Sequence, residues 1–320
     1  MQNILITSAG RRGRLIEFFK NESKLINSSV YASDIKPEMS AACQLADESF
    51  KSPKVKSNDF VPYLLDLSRR ENIGVIIPTI DTELIAFARH REEFLRSDIS
   101  LVISDMDFVQ ICRNKIKTSI YFNSIGISTP EIFDNNNIKF PCFVKPLDGS
   151  SSIGARIIET RNDVTEDLAN DKNMIFMEYI GKEYQEYTVD AYYDRGGVLR
   201  CFVPRIRLET RAGEVSKSIT RKDKFFDYLN EALNAIKGAR GCVTFQFFVN
   251  LDNQDFKAIE INPRFGGGYP LSYAAGANYP KWIIKEYLLS QKLEDFEEWD
   301  KNLMMLRYDA EVIRMANDQY

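Results

Sequence analysis

Gln246, Glu260 and Asn262 are side chains whose types and spacing could hold a divalent cation. Glu260 and Asn262 are two apart in DFKAIEIN, so on a strand both point to one face. The segment VTFQFFVNL precedes them, and a tight turn at Asp252–Gln254 would make the two strands antiparallel. Positions 246 and 260 are equidistant from Asn253, which predicts that Gln246 stands directly opposite Glu260. One carboxylate and two amide oxygens are hard ligands, suited to Mg²⁺ (or Mn²⁺) that also takes phosphate oxygens. The apolar residues between them, Phe245, Phe247, Ile259 and Ile261, fit a one-sided sheet with a wet polar face equally well.

The neighbouring residues extend this chemistry. Pro263-Arg264-Phe265-Gly266-Gly267-Gly268 follows at once, placing Arg264 where a transferring phosphoryl group needs positive charge. Its glycines would let backbone N–H groups approach an anion. Lys145 ends the apolar run PCFVKP, as a phosphate ligand or as a snorkelling edge residue. The loop Asp148-Gly149-Ser150-Ser151-Ser152-Ile153-Gly154 is rich in small donors and could fold over phosphates, although it lacks the Walker order. Glu178-Tyr179-Ile180 could offer main-chain groups to an adenine edge, with a nearby carboxylate taking ribose hydroxyls. Arg205 and Arg207 share a strand face and could clamp a carboxylate, or could line a solvated edge.

The elements that must position these groups are legible as patterns. Residues 1–105 alternate strands (NILITS, SVYASDI, VIIPTI, SLVIS) with periodic helices (RRGRLIEFFKNES, FVPYLLDLSRREN, TELIAFARHREEFLRS), which predicts a parallel sheet wrapped by helices. A helix over 107–124 follows. Beyond about 130 strands come in hairpin-like pairs: FPCFVKP with ARIIET, and EYTVDAYYD with GVLRCFVPRIRLE across Asp194–Gly197. Thr7–Arg12, Asp34 and Asp81–Glu83 fall at the carboxyl ends of the predicted parallel strands, where such sheets bind ligands. Asp81 and Glu83 could equally cap the helix after them.

Composition closes off other chemistries. The chain has 320 residues, 28% charged, with a formal net charge of −4, and basic residues form no long run. Nucleic-acid binding therefore has no electrostatic support. No stretch reaches the ~20 apolar residues of a spanning helix, and the short N-terminal apolar run is not a signal peptide. The five cysteines are dispersed and without a C-x-x-C pair, which predicts reduced thiols and a cytoplasmic protein. With the single histidine, His90, in a charged helical stretch, zinc sites and Ser–His or Cys–His catalysis lack their parts. The SAGRRG turn after the first strand lacks G-x-G-x-x-G, which leaves a nicotinamide dehydrogenase without its fingerprint.

The ordered set Lys115, Lys145-Pro146, Gly/Ser loop 149–154, Glu178-Tyr179-Ile180, Glu186-Tyr-Thr-Val-Asp and Glu260-Ile-Asn-Pro-Arg resembles the ATP-grasp superfamily. Within it, the chain looks like the ATP-binding half of the carbamoyl-phosphate synthase large subunit and related small carboxylate–amine ligases. The resemblance implies α/β plus α+β architecture: a Rossmann-like pre-ATP-grasp domain (1–105) and a two-lobed ATP-grasp fold (106–185 and 186–320, the latter with a C-terminal tail). It implies that Lys115, Lys145 and the loop residues Ser151, Ser152 and Gly154 hold ATP phosphates. Glu178, Tyr179 and Ile180 would hold adenine and Glu186 the ribose, with Glu183 its competitor. Gln246, Glu260 and Asn262 would hold Mg²⁺, while Arg264 and Arg207 would serve the transferring group. The implied activity is ATP-dependent joining of a small carboxylate to an amine through an acyl phosphate. Its alternatives are carbamoyl-phosphate-type activation and a non-catalytic ATP-binding subunit. No nucleic acid or membrane partner is expected; the tail Phe296–Tyr320 could pack on the core or on a second copy as a homodimer.

Overall fold

The computed structural model describes every residue except 135–136, 148–153, 212, 254 and 316–320. The chain divides into two compact units, and the segments Asn278–Glu294 and Arg307 onward cluster with the N-terminal one.

The first unit, Met1–Ser104 with those segments, holds strands β1 (Asn3–Thr7), β2 (Val30–Asp34), β3 (Glu48–Lys51), β4 (Ile73–Pro78) and β5 (Ser100–Leu101). They form one parallel sheet in the order β3-β2-β1-β4-β5. β1 and β4 are near-continuous apolar runs because helices cover the sheet. Ile4, Leu5, Ile6, Val75, Ile76 and Ile77 are accordingly all buried. The helix Gly13–Ser23 supplies Leu15, Ile16, Phe18 and Phe19 to this core, and Phe60–Arg70 supplies Leu64, Leu65 and Leu67. The stretch read as one helix through His90 is two, Asp81–Arg89 and Arg91–Leu95.

The second unit, Asp105–Ala277 with Asp295–Leu306, carries two antiparallel sheets. β6 (Cys142–Pro146), β7 (Arg156–Ile158) and β8 (Met174–Glu178) pair in the order β7-β6-β8. β9 (Gln185–Tyr193), β10 (Leu199–Arg211), β11 (Glu214–Thr220), β12 (Gly241–Asn250), β13 (Asp255–Asn262) and β14 (Met304–Leu306) form the larger sheet, ordered β13-β12-β9-β10-β11-β14. β11 and β14 gave no pattern strong enough to be read from the sequence.

One face of the larger sheet is apolar: Tyr187, Val189, Phe245, Phe247 and Ile261 are each 0–1% exposed. The helix Lys224–Asn234 covers it, and the Phe225 ring meets those of Tyr187 and Phe247 edge-on, each at 5.2 Å. Burying each such ring contributes roughly 1.5–3 kcal/mol. That leaves the opposite face free to carry polar groups. The expected helix over 107–124 is Met106–Cys112 followed by Lys115–Ser124, with Asn114 capping the second through Lys117 N.

Candidate active site

The polar face of the larger sheet is built by strand register. Thr188 on β9 pairs with Arg205 on β10 and with Gln246 on β12, and Gln246 pairs with Glu260 on β13. One step along, Asp190 pairs with Thr244, and Thr244 with Asn262. Side chains alternate along a strand, so Gln246, Glu260 and Asn262 share this face with Glu186 and Arg207.

A β-bulge makes the 246–260 pairing. From the turn, Asn250 pairs with Asp255 and Phe247 with Ala258; the register then shifts so that Gln246 meets Glu260. An unbroken ladder would have set Gln246 opposite Ile259. Bulges re-aim side chains in this way beside functional sites.

The cationic groups converge on the same region. Lys145 on β6 is 9% exposed, and burial lowers its pKa from 10.5 to about 8; Glu260 pulls it back up and Lys115 pushes it further down. Lys115, Lys145 and Glu260 therefore share one electrostatic neighbourhood. Lys115 is the first residue of its helix, beside Asn114. A pocket bordered by Lys115, Lys145, Ile175, Met177 and Ile259 lies between these elements. Arg264, just past β13, donates from Nη1 to Phe265 O at 3.2 Å and from Nη2 to Asn262 Oδ1 at 3.3 Å.

Other expected ligands prove to be engaged by the chain itself. The Glu178 carboxylate accepts from Lys257 Nζ at 2.6 Å and from Glu131 N at 3.1 Å. Arg207 is ion-paired to Glu186. Burial pushes the Glu186 carboxyl up, against the pull of Arg207, and Glu260 adds to the rise. Arg205 is fully buried against Asp190, Nε to Oδ2 at 3.0 Å, so the two arginines do not form an open clamp. Glu183 folds against Gly181, where a Cβ would collide with its carboxylate. Gly154 is described, at φ +78°, whereas Ser151 and Ser152 lie outside the described residues.

In the first unit, Glu83 is a scaffold group. It is 0% exposed and accepts from Thr79 N at 2.9 Å, Ile80 N at 3.3 Å and Ser8 Oγ at 2.9 Å. Burial raises its pKa to about 7 although all of these bonds lower it. Asp34 is likewise occupied, with Oδ2 accepting from Gly10 N at 3.0 Å.

The donor set defines what cation it could hold. Among the described residues, no three Asp, Glu, His or Cys side chains gather at a metal-sized point. Glu260 would thus be joined by amide oxygens, and further ligands would come from phosphate or water, as Mg²⁺ prefers. The residues present fit that ion.

Known proteins similar to this chain fall in two groups of sequence match. Residues 4–102 match a family model described as PylC-like, N-terminal domain, and residues 170–310 match one described as ATP-grasp in the biosynthetic pathway with Ter operon. Over residues 170–310 the chain thus matches an ATP-grasp family. Curated proteins similar to this chain include a ligase and a carbamoyl-phosphate synthase. It is 36% identical over 228 residues to a 3-methyl-D-ornithine–L-lysine ligase of Methanosarcina acetivorans, covering 70% of this chain and 58% of the relative. It is 23% identical over 221 residues to a carbamoyl-phosphate synthase of Methanobrevibacter smithii, covering 62% and 59%. The chain thus spans less than two thirds of the length of either relative. Two of the solved structures with the same fold serve as examples. The biotin carboxylase domain of Hydrogenobacter thermophilus 2-oxoglutarate carboxylase, in complex with MgADP, ADP and bicarbonate, has TM-score 0.74 at 15% identity, covering 95% of this chain and 73% of that one. The N5-carboxyaminoimidazole synthetase of Staphylococcus aureus, complexed with ADP, has TM-score 0.73 at 16% identity, covering 92% and 79%.

Proposed function

We propose that this ATP-grasp protein is an ATP- and Mg²⁺-dependent carboxylate–amine ligase working through an acyl phosphate. The observation that carries the reading is the register pairing of Gln246 with Glu260, beside the buried Lys145 and next to Arg264. Residues 106–185 would be one lobe and 186–320 the other, apart from the segments Asn278–Glu294 and Arg307 onward that cluster with the first unit; phosphates would lie between Lys115, Lys145 and the face bearing Gln246, Glu260 and Asn262. Bound there, Mg²⁺ would neutralise phosphate charge and fix its orientation. Main-chain groups of Tyr179 and Ile180 would take the adenine edge. Glu186, which Arg207 pairs with on the sheet face, would take the ribose hydroxyls, with Glu183 beside Gly181 as its competitor.

In the reaction, a substrate carboxylate oxygen attacks the γ-phosphorus and ADP leaves. Arg264 would stabilise charge on the transferring phosphoryl group. An amine nitrogen then attacks the acyl carbon, phosphate departs, and the nitrogen loses a proton. The protein's part is positioning and charge, which a chain with one histidine can supply. The 36% identity to an amino-acid–amino-acid ligase favours amino-acid-like substrates over carbamoyl phosphate formation. Among the described residues no helix is long and apolar enough to cross a membrane, and the described cysteines are free thiols, which supports a cytoplasmic setting. The test is incubation with Mg-ATP, hydroxylamine and a panel of amino acids. Hydroxamate and ADP in equal amounts support the reading; ATP binding with no hydroxamate from any carboxylate would sink it.

A further inference from the structure

We infer that Thr244 is a positioning residue that fastens the Arg264 loop to a buried ion pair, Arg205–Asp190. This rests on the nucleotide-binding reading above but concerns residues that reading does not use. Arg205 and Asp190 are each 0% exposed and paired, Nη2 to Oδ2 at 2.8 Å. Buried pairs of this kind add little net stability yet are costly to break, so they make a rigid anchor. Asp190 Oδ2 also accepts from Ser272 Oγ at 2.6 Å, in the helix that follows the glycines. Its Oδ1 lies 3.2 Å from Thr244 Oγ1, and the same hydroxyl lies 3.1 Å from Arg264 O. The single hydroxyl proton of Thr244 is shared between these two acceptors, and so links the anchor to the backbone of the residue that would face the γ-phosphate.

The glycines after Arg264 keep this arrangement close. A Cβ at Gly266 would sit 3.0 Å from Thr244 Oγ1 and 3.5 Å from Asp190 Oδ1, and one at Gly267 would sit 3.1 Å from Glu214 Cδ. The glycines admit the close approach of Thr244, Asp190, Arg205 and Glu214.

The experiment measures dissociation constants of the full chain for MgADP and for Mg-AMPPNP, a non-hydrolysable triphosphate. Thr244→Val keeps volume and β-branching and removes the hydroxyl; Thr244→Ala removes it with a smaller side chain, in case valine perturbs folding. Both should lose about 3- to 10-fold of the preference for the triphosphate, the scale of one hydrogen bond. MgADP affinity should stay unchanged, and Thr244→Ser should restore the preference. Equal loss for both nucleotides, or an unchanged preference, overturns the inference and leaves the nucleotide site standing. Wild-type protein that binds neither nucleotide overturns the nucleotide reading itself, and this inference with it.

Discussion

Arg264 donates from Nη2 to the side-chain oxygen of Asn262 at 3.3 Å, so the proposed phosphate-facing cation is tied to a proposed metal ligand. Both leave the same end of β13, with Arg264 N also bonded to Asn262 O at 2.8 Å. A metal ion drawing on that amide oxygen would compete with the guanidinium and turn its donors toward phosphate. Arg264→Ala should therefore lower hydroxamate formation about 10²- to 10³-fold, as expected when one transition-state donor is lost. MgADP affinity should change by less than about 3-fold, because ADP lacks the group Arg264 serves. Steady-state rates and calorimetric titration check the two halves, and equal losses in both would refute the assignment.

Glu260 is the one carboxylate among the three oxygen donors, and its charge also lifts the pKa of Lys145 and of Glu186. Glu260→Gln should weaken Mn²⁺ binding to the nucleotide complex at least ~10-fold, as loss of metal-site residues does. Gln246→Glu should strengthen it, since a second carboxylate then faces Glu260 across the register. Electron paramagnetic resonance of bound Mn²⁺ reads both. Unchanged affinity in Glu260→Gln would place the metal elsewhere.

Lys145 gives a pH signature. Its pKa in the folded chain is about 8 against 10.5 for an unperturbed lysine, with burial as the largest cause. A lowered lysine pKa means that the unfolded chain binds more protons between those values, so this group's contribution to stability rises with pH from about 8 to 10.5. Nucleotide affinity runs the other way, because phosphate attracts only the charged form. MgADP binding should weaken as pH rises past 8 and take up a proton there, measurable by calorimetry in buffers of different ionisation enthalpy. Lys145→Met should bind weakly with a flat profile. A wild-type profile already flat from 7 to 9.5 would contradict a Lys145 in contact with phosphate.

The sequence carried the parts of the site that depend on period and turn. Alternation put Glu260 and Asn262 on one face, and the position of Asn253 paired Gln246 with Glu260. Yet the turn alone would have paired Gln246 with Ile259, and the bulge that corrects it has no residue signature here. Lys145 was legible at a strand end, but its burial was not, because the residues covering it lie on other elements. Arg205 shows the limit most clearly. Its partner Asp190 sits across a hairpin, Ser272 is distant in sequence, and nothing local marks a charged strand residue as fully buried. Glu83 was legible only as a choice; it accepts from the backbone of Thr79 and Ile80 at the helix start and from the Ser8 hydroxyl after β1.

Gly268 offers a test of that buried anchor through sterics. A Cβ there would press into Arg205 Nη1 and lie 2.8 Å from Val215 Cγ1. A flexible surface arginine would swing aside, but Arg205 is 0% exposed and held through Nε to Asp190. Either the pair or the loop backbone must shift, and overpacking of this kind costs about 1–3 kcal/mol. Gly268→Ala should accordingly lower Tm by roughly 2–4 °C per kcal/mol in a unit of this size, with an unchanged urea m-value. Because the shift reaches the segment bearing Arg264, triphosphate preference should fall as well. A variant that melts with wild type and keeps that preference would show that Arg205 has room to move, and the anchor would lose its rigidity.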